Sequence, residues 1–207
     1  YNQLTTKGFH SLDLLSSEQL LAFHENRQGL ILGEGIGALL LTKTQPPQKN
    51  YYRLMEGDSA CDTSSLTMTA EDGSHINTVM SQAIKKSGLN ANNIDLVKVH
   101  GTATYNNDIA EYNALISYFN SPPLIMALKP FIGHTLGACG VIELALLDYL
   151  LAKPTIPVAD YISEQAQSIM LPFASADHAM SSFAHVLVNH CGFGGNNAAL
   201  VLETVQS

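Results

Sequence analysis

Apolar and polar positions change rhythm several times along the chain, and each change predicts an element. In residues 1–23, Leu12, Leu14, Leu15, Leu20 and Leu21 lie scattered among Ser and Thr without a clear period, which predicts loops and a short helix. Leu30 to Leu32 and Ala38 to Leu41 are apolar runs around Gly33, Gly35 and Gly37. They are too short and too glycine-rich for helix and predict buried strand. Pro46 and Pro47, within Gln45 to Lys49, punctuate the chain before a further strand at Tyr51 to Met55. Helical spacing then takes over. Ile76, Val79, Met80, Ala83 and Ile84 share one face, and Gly88 after Lys85 and Lys86 stops the helix.

Strand and helix alternate from there. Ile94 to Val99 predicts a strand ending at His100, Ile109 to Phe119 a helix blocked by Pro122 and Pro123, and Leu124 to Leu128 a strand. Val141 to Leu151 predicts a long apolar helix ended by Pro154. Phe183 to Asn189 and Ala198 to Leu202 predict paired strands joined by the turn Cys191 to Asn197. This succession predicts an α/β layered fold with a mostly parallel sheet. Strands that are apolar without alternation predict that both faces are covered.

Composition narrows the function. Ten Lys and Arg against 18 Asp and Glu give a net charge of −8 over 207 residues, which disfavours a nucleic-acid surface and leaves a small acidic or acyl substrate open. Charged residues make up only 14%, so the chain is expected to carry apolar surface that another segment covers. The first residue, Tyr1, fits a processed product or a piece of something longer. Cys61, Cys139 and Cys191 are far apart with no CxxC pair, which indicates neither zinc nor disulfides and makes a cytoplasmic setting the expectation. No charged stretch followed by an apolar one opens the given residues and no run of about 18 apolar residues occurs among them, so neither secretion nor a membrane partner is expected.

Three loops at predicted strand ends carry candidate chemistry, because ligands of such sheets bind there. The first is His100-Gly101-Thr102-Ala103-Thr104, with Asp108 and Glu111 opening the next helix. The second runs from Lys129 through Gly133-His134-Thr135 to a glycine-rich helix start. A histidine near a helix N-terminus tends to stay neutral, able to pass a proton or donate to an oxyanion. Lys129 follows a buried run and needs a buried partner, and Glu143, alone in its apolar helix, is the candidate. The third loop, Asn189-His190-Cys191-Gly192-Phe193-Gly194-Gly195-Asn196-Asn197, suits either a tight turn or an oxyanion hole. Cys191 reads better as a small buried thiol than as a nucleophile.

In this order, and with Arg27 to Gly37 ahead of them, the loops resemble the β-ketoacyl-acyl carrier protein synthase family of the thiolase superfamily, from about Gly8 to the C-terminus. The resemblance implies a thiolase-like layered fold. Residues 1–70 would form the end of the N-terminal half, including its last strands, and residues 71–207 the C-terminal half. It implies a decarboxylative Claisen condensation between an acyl thioester and malonyl-acyl carrier protein, in fatty acid or polyketide synthesis. His100 and His134 would decarboxylate the malonyl unit and hold the enolate. Lys129 and Glu143 would be the ion pair orienting the His134 loop, and Thr102 and Thr104 would bind the phosphopantetheine arm. Phe193 would supply half of the oxyanion hole through its N–H and a gate through its ring. Neither metal nor soluble cofactor is implied, since the substrates arrive on phosphopantetheine.

The resemblance also marks departures. The family's nucleophilic cysteine lies upstream of the matched region, so it is expected on a missing N-terminal segment or partner chain. Cys191 replaces a phenylalanine, and Ala103 stands where glycine or serine is usual. Expected partners are that segment, an acyl carrier protein and a second copy of the complete enzyme, with Lys7, Arg27 and Arg53 as docking cations. A catalytically silent subunit of the chain-length-factor kind, or a scaffold module, is the alternative.

Overall fold

The computed structural model describes residues 2–47, 50–163 and 170–206; Tyr1, together with Gln48 and Lys49 of the proline-marked break, lies outside them. In chain order the main elements are α1 (Gln3–Ser11), β1 (Asn50–Cys61), α2 (Ser74–Lys86), β2 (Leu96–Lys98), α3 (Tyr105–Tyr118), β3 (Leu124–Met126), the single turn α4 (Lys129–Ile132), α5 (Cys139–Leu150), β4 (His185–Gly192) and β5 (Asn196–Gln206). Asn2 caps α1 by accepting from the Thr5 N–H. Past α2, Gly88 takes a positive φ of 73° and its N–H returns to the Lys85 carbonyl, as the helix-stop pattern requires.

One five-stranded sheet has the order β1-β5-β4-β2-β3. The pairs β4–β2 and β2–β3 are parallel, whereas β1–β5 and β5–β4 are antiparallel. The sheet is therefore evenly mixed rather than mostly parallel. The tight glycine turn 192–195 forces β4 and β5 to run antiparallel, and β1 then adds to the free edge of β5 along its whole length.

Both faces are covered, as the unalternating apolar strands predict. On one face Val97, Ile125, Leu187 and Val201 pack with Ile76, Met80 and Ile84 of α2 and Ala114 and Leu115 of α3. On the other, Leu96, Met126, Val186, Val188 and Leu202 pack with Leu147 and Leu150 of α5. Successive strand residues point to opposite faces. So Lys98 follows Leu96, and His190 follows Val186 and Val188, onto the α5 side.

The strands expected at Leu30 to Leu32 and Ala38 to Leu41 are corrected. Leu30 and Leu32 make only single bridges, to Leu15 and His134, and residues 33–42 carry no strand. Ile36, Leu40 and Leu41 are exposed. An apolar run becomes a strand only where another strand takes its hydrogen bonds, and none among the described residues reaches this one. No helix among the described residues is long and apolar enough to cross a membrane.

Candidate active site

The centre of the site is a carboxylate gripped from two sides. Glu143, on α5, is fully buried. Lys129 Nζ donates to its Oε1 at 2.9 Å, and Lys98 Nζ donates to its Oε2. Both lysines are completely buried. Each ammonium carries three protons, and each meets three acceptors. For Lys129 these are Glu143, the His100 carbonyl at 2.5 Å and His100 Nδ1 at 3.3 Å. For Lys98 they are Glu143, the Asn189 carbonyl at 3.0 Å and His190 Nε2 at 3.2 Å. Burial pushes the Glu143 carboxyl up, but the two ammonium groups outweigh it and hold the group far below the usual carboxylate range. Burial, with the positive charge of Lys129, lowers the Lys98 pKa.

Three imidazoles surround this centre. The rings of His100 and His134 lie 5.4 Å apart, and those of His100 and His190 lie 6.1 Å apart. Burial first, and the Lys129 charge next, hold His134 down to about 4. Burial and the neighbouring lysines hold His100 and His190 well below the ordinary histidine value. All three are neutral at pH 7. Burial and Lys129 act together with the helix start expected beside His134: Leu136 opens a 3₁₀ turn that runs directly into α5 at Cys139, and its N–H points at the imidazole. A neutral imidazole that accepts at one nitrogen carries its proton on the other. His134 Nδ1 accepts from the Leu136 N–H at 3.1 Å, so Nε2 bears its proton. By the same argument His100 bears its proton at Nε2 and His190 at Nδ1.

The Lys129–Glu143 pair forms as expected, but its side-chain contacts fall on His100 instead of the His134 loop. It reaches that loop only through backbone: the Gly133 N–H donates to the Lys129 carbonyl at 2.8 Å. The loop is also anchored by the His134 N–H on Ile31 O and the Gly33 N–H on His134 O. On the other side of His100, buried Glu111 accepts from the backbone N–H groups of His100 and Gly101, both at 2.7 Å, and from Asn189 Nδ2 at 2.7 Å. Thr102 and Thr104 join through their hydroxyls at 2.9 Å. Between them Ala103 takes φ 60°, a left-handed conformation uncommon for a residue with a Cβ.

In the third loop Gly194 and Gly195 both have positive φ, and a Cβ on Gly195 would strike the Asp62 carbonyl. The loop is closed by the Asp62 N–H on Gly195 O and the Gly194 N–H on Leu66 O, both 2.8 Å. Phe193 is 47% exposed and stacks on Phe9 with centroids 5.5 Å apart. A cavity of about 910 Å³ is lined by His100, His134, His190, Thr102, Thr104 and Phe193. The fold thus brings His100, His134, Thr102, Thr104 and Phe193 to one cavity, with Lys129 and Glu143 directly behind it.

Cys139 and Cys191 also reach the cavity, but burial raises both thiols, Cys191 well above its ordinary value, so neither is an activated thiolate. Cys139, Glu143 and His190 place donor atoms within 4.8 Å of one another. Two ammonium groups already occupy both Glu143 oxygens there, so this donor set does not suit a cation. Arg27 is corrected as a docking cation: its side chain is buried beside Asp108. Arg53 pairs with Glu203, and Lys7 is exposed. Sequence reasoning missed Lys98 altogether and gave His190 no role. The signal that found Lys129, a lysine inside an apolar run, was equally present at Lys98.

Residues 53–159 match the family described as beta-ketoacyl synthase, C-terminal domain. The chain is 27% identical over 186 residues to the chloroplastic 3-oxoacyl-[acyl-carrier-protein] synthase II of Arabidopsis thaliana, covering 85% of this chain and 34% of that protein. It is 29% identical over 184 residues to 3-oxoacyl-[acyl-carrier-protein] synthase 2 of Mycobacterium bovis, covering 86% and 44%. Among solved structures, a complex of a ketosynthase with its chain length factor from Xenorhabdus doucetiae aligns with TM-score 0.82 and 26% identity over 98% of this chain and 50% of the matched one. A β-ketoacyl synthase from Burkholderia phymatum shares the fold at TM-score 0.78 and 22% identity, over all of this chain and 53% of its own. The chain spans half or less of the length of these curated relatives.

Proposed function

The chain belongs to the β-ketoacyl synthase family through its C-terminal domain, and from that premise we propose that it supplies the decarboxylating half of a condensing site. The observation that carries this reading is the cavity walled by His100 and His134, whose Nδ1 atoms face the Lys129 ammonium and the Leu136 N–H, an arrangement that leaves each Nε2 to bear the proton. Two N–H groups directed at one cavity can hold the thioester oxygen of a malonyl unit. When its carboxylate leaves as CO2, the electron pair of the broken C–C bond moves onto that oxygen as an enolate, and the donors stabilise the charge that develops. The enolate carbon then attacks the carbonyl of an acyl thioester, and the thiolate departs. The acyl group is held by a cysteine supplied from another segment, because Cys139 and Cys191 are raised thiols and Cys61 is absent from the cavity wall.

Lys129 and Glu143 act as positioning residues behind His100. Thr102 and Thr104 offer hydroxyls to the phosphopantetheine arm that brings the substrate, and the Phe193 N–H and ring serve as oxyanion donor and gate. An acyl carrier protein is the delivering partner. The division between the halves is drawn ahead of β1 rather than at residue 71, because the C-terminal-domain match begins at Arg53 and β1 pairs with β5 along its length. The retained imidazoles and lysines argue against a silent subunit, which would have no use for them.

In the enzyme reconstituted with its cysteine-bearing segment, His134→Ala is expected to lower malonyl decarboxylation by about 10²- to 10³-fold while acyl loading survives. Single-turnover assays of the two steps separate them, and unchanged decarboxylation would overturn the assignment.

A further inference from the structure

The two lysines on Glu143 are used in the same way. Lys129 takes one carboxylate oxygen, the carbonyl of His100 and the ring of His100; Lys98 takes the other oxygen, the carbonyl of Asn189 and the ring of the next residue, His190. Each is a strand-end unit in which a buried ammonium holds a peptide carbonyl and an imidazole at once. Only the first unit has a part in the function proposed above. A second buried lysine is costly to desolvate, and with its one carboxylate shared, the Asn189 carbonyl and the His190 ring must supply the rest of its compensation.

We propose that Lys98 is a positioning residue that fixes His190 as a third hydrogen-bond donor of the cavity, directed at the carbonyl or carboxylate oxygens of an acidic acyl thioester. The inference rests on the malonyl reading for the identity of that ligand. Its geometry is independent of it. Lys98 Nζ occupies His190 Nε2, which leaves the proton on Nδ1. The nearest carboxylate oxygen to Nδ1, Glu143 Oε2, is 3.8 Å away, too far for a hydrogen bond. Among the described residues no hydrogen bond takes that N–H. The His190 side chain is 19% exposed while Lys98 and Glu143 are not exposed at all, so the imidazole is the part of this unit that a ligand can touch. It lines the same cavity as His100 and His134.

The groups facing His190 decide its charge. They are Lys98 from β2, Glu143 and Cys139 from α5, Lys129 from α4, and the imidazoles of His100 and His134. Burial and the two lysines favour the neutral ring, and Glu143 opposes them. Removing Lys98 takes away one cation and leaves Glu143, so the ring should then protonate at higher pH and lose its fixed tautomer.

The test uses the complete enzyme labelled with ¹⁵N-histidine. Two-bond proton–nitrogen spectra should show His190 as the Nδ1–H tautomer and His100 and His134 as Nε2–H, with His190→Asn assigning the signal. Lys98→Met should abolish that preference and raise the pH at which His190 titrates. Adding malonyl-pantetheine should shift the His190 N–H resonance. In kinetics, His190→Leu should lower kcat/KM for decarboxylation about 10²-fold. His190→Asn, whose amide restores a donor near Nδ1, should recover most of the loss. An Nε2–H tautomer at His190, or a tautomer unmoved by Lys98→Met, would overturn the positioning role. An unshifted resonance with malonyl-pantetheine, or a fully active His190→Leu, would overturn the donor role. If the wild type released no CO2 while the tautomer pattern and ligand shift held, the malonyl reaction would fail and this assignment would stand.

Discussion

Ile36, Leu40 and Leu41 stand in solvent, exposed by 100%, 88% and 74%, whereas Lys98, Lys129 and Glu143 show no surface at all. By residue type the two regions are inverted, and the difference lies in their partners. Residues 36–41 have an apolar pattern but no layer among the described residues to pack against. The charged trio has a complete set: six ammonium protons meet six acceptor contacts, and the carboxylate meets two cations. Burial follows from whether a group's bonding demands are met where it sits, and residue type only sets what those demands are.

The contrast is tested most severely at Glu143. Glu143→Leu strips the counter-charge from two buried ammonium groups, and a loss of at least about 3–5 kcal/mol is expected in a denaturant titration. Lys129→Met should also destabilise, but Lys129→Met with Glu143→Leu should not recover, because Lys98 is then left alone. Recovery is expected only in the triple variant that adds Lys98→Met. A double variant as stable as wild type would mean that Lys98 does not share the carboxylate. At the exposed end, Leu40→Glu with Leu41→Glu should change stability by no more than about 0.5 kcal/mol, as for surface positions generally. A loss of several kcal/mol there would show these leucines to be packed in the chain itself.

Acid should act on the same centre. His134, held down to about 4 against an ordinary 6.5, binds its proton later in the folded than in the unfolded chain, so stability falls as pH drops from about 6.5 to about 4. His100 and His190 contribute with the same sign. Asp108 opposes them. Burial pushes its carboxyl up to about 7, so its contribution is present below its unfolded pKa and is lost as pH rises through 7. Asp108→Asn should therefore make the loss of stability from pH 7 to 4 steeper than in wild type, read as midpoint against pH. A shallower dependence would contradict the burial of Asp108. A small effect is expected at Ala103→Gly, which relieves a left-handed φ of 60° but gives up a fully buried methyl, and should stabilise by up to about 1 kcal/mol. Destabilisation would indicate that packing of this buried Cβ outweighs the backbone strain.

Much of this was legible in the sequence because it is local. Helix α2, its glycine stop, the β4–β5 pair and the strand-end histidines are each encoded by residues close together in the chain. The Lys129–Glu143 pair, 14 residues apart, followed from asking what a buried lysine requires. Lys98 posed the same question inside Ile94 to Val99, but its carboxylate lies 45 residues away and its imidazole 92. Only the side-chain alternation of β2 and β4 places both on the α5 face. The segment 38–41 failed for the converse reason: an apolar pattern announces a demand for burial without showing that anything meets it.

The central claim is that the cavity works through neutral imidazoles fixed as donors. CO2 release from malonyl-pantetheine, measured as kcat/KM from pH 8 to pH 4 in the complete enzyme, tests it most directly. The account predicts a level profile that falls only as pH approaches about 4, where His134 takes up its proton. An inflection near 6.5, the value of an ordinary exposed histidine, or a rate that rises as the imidazoles become protonated, would contradict it.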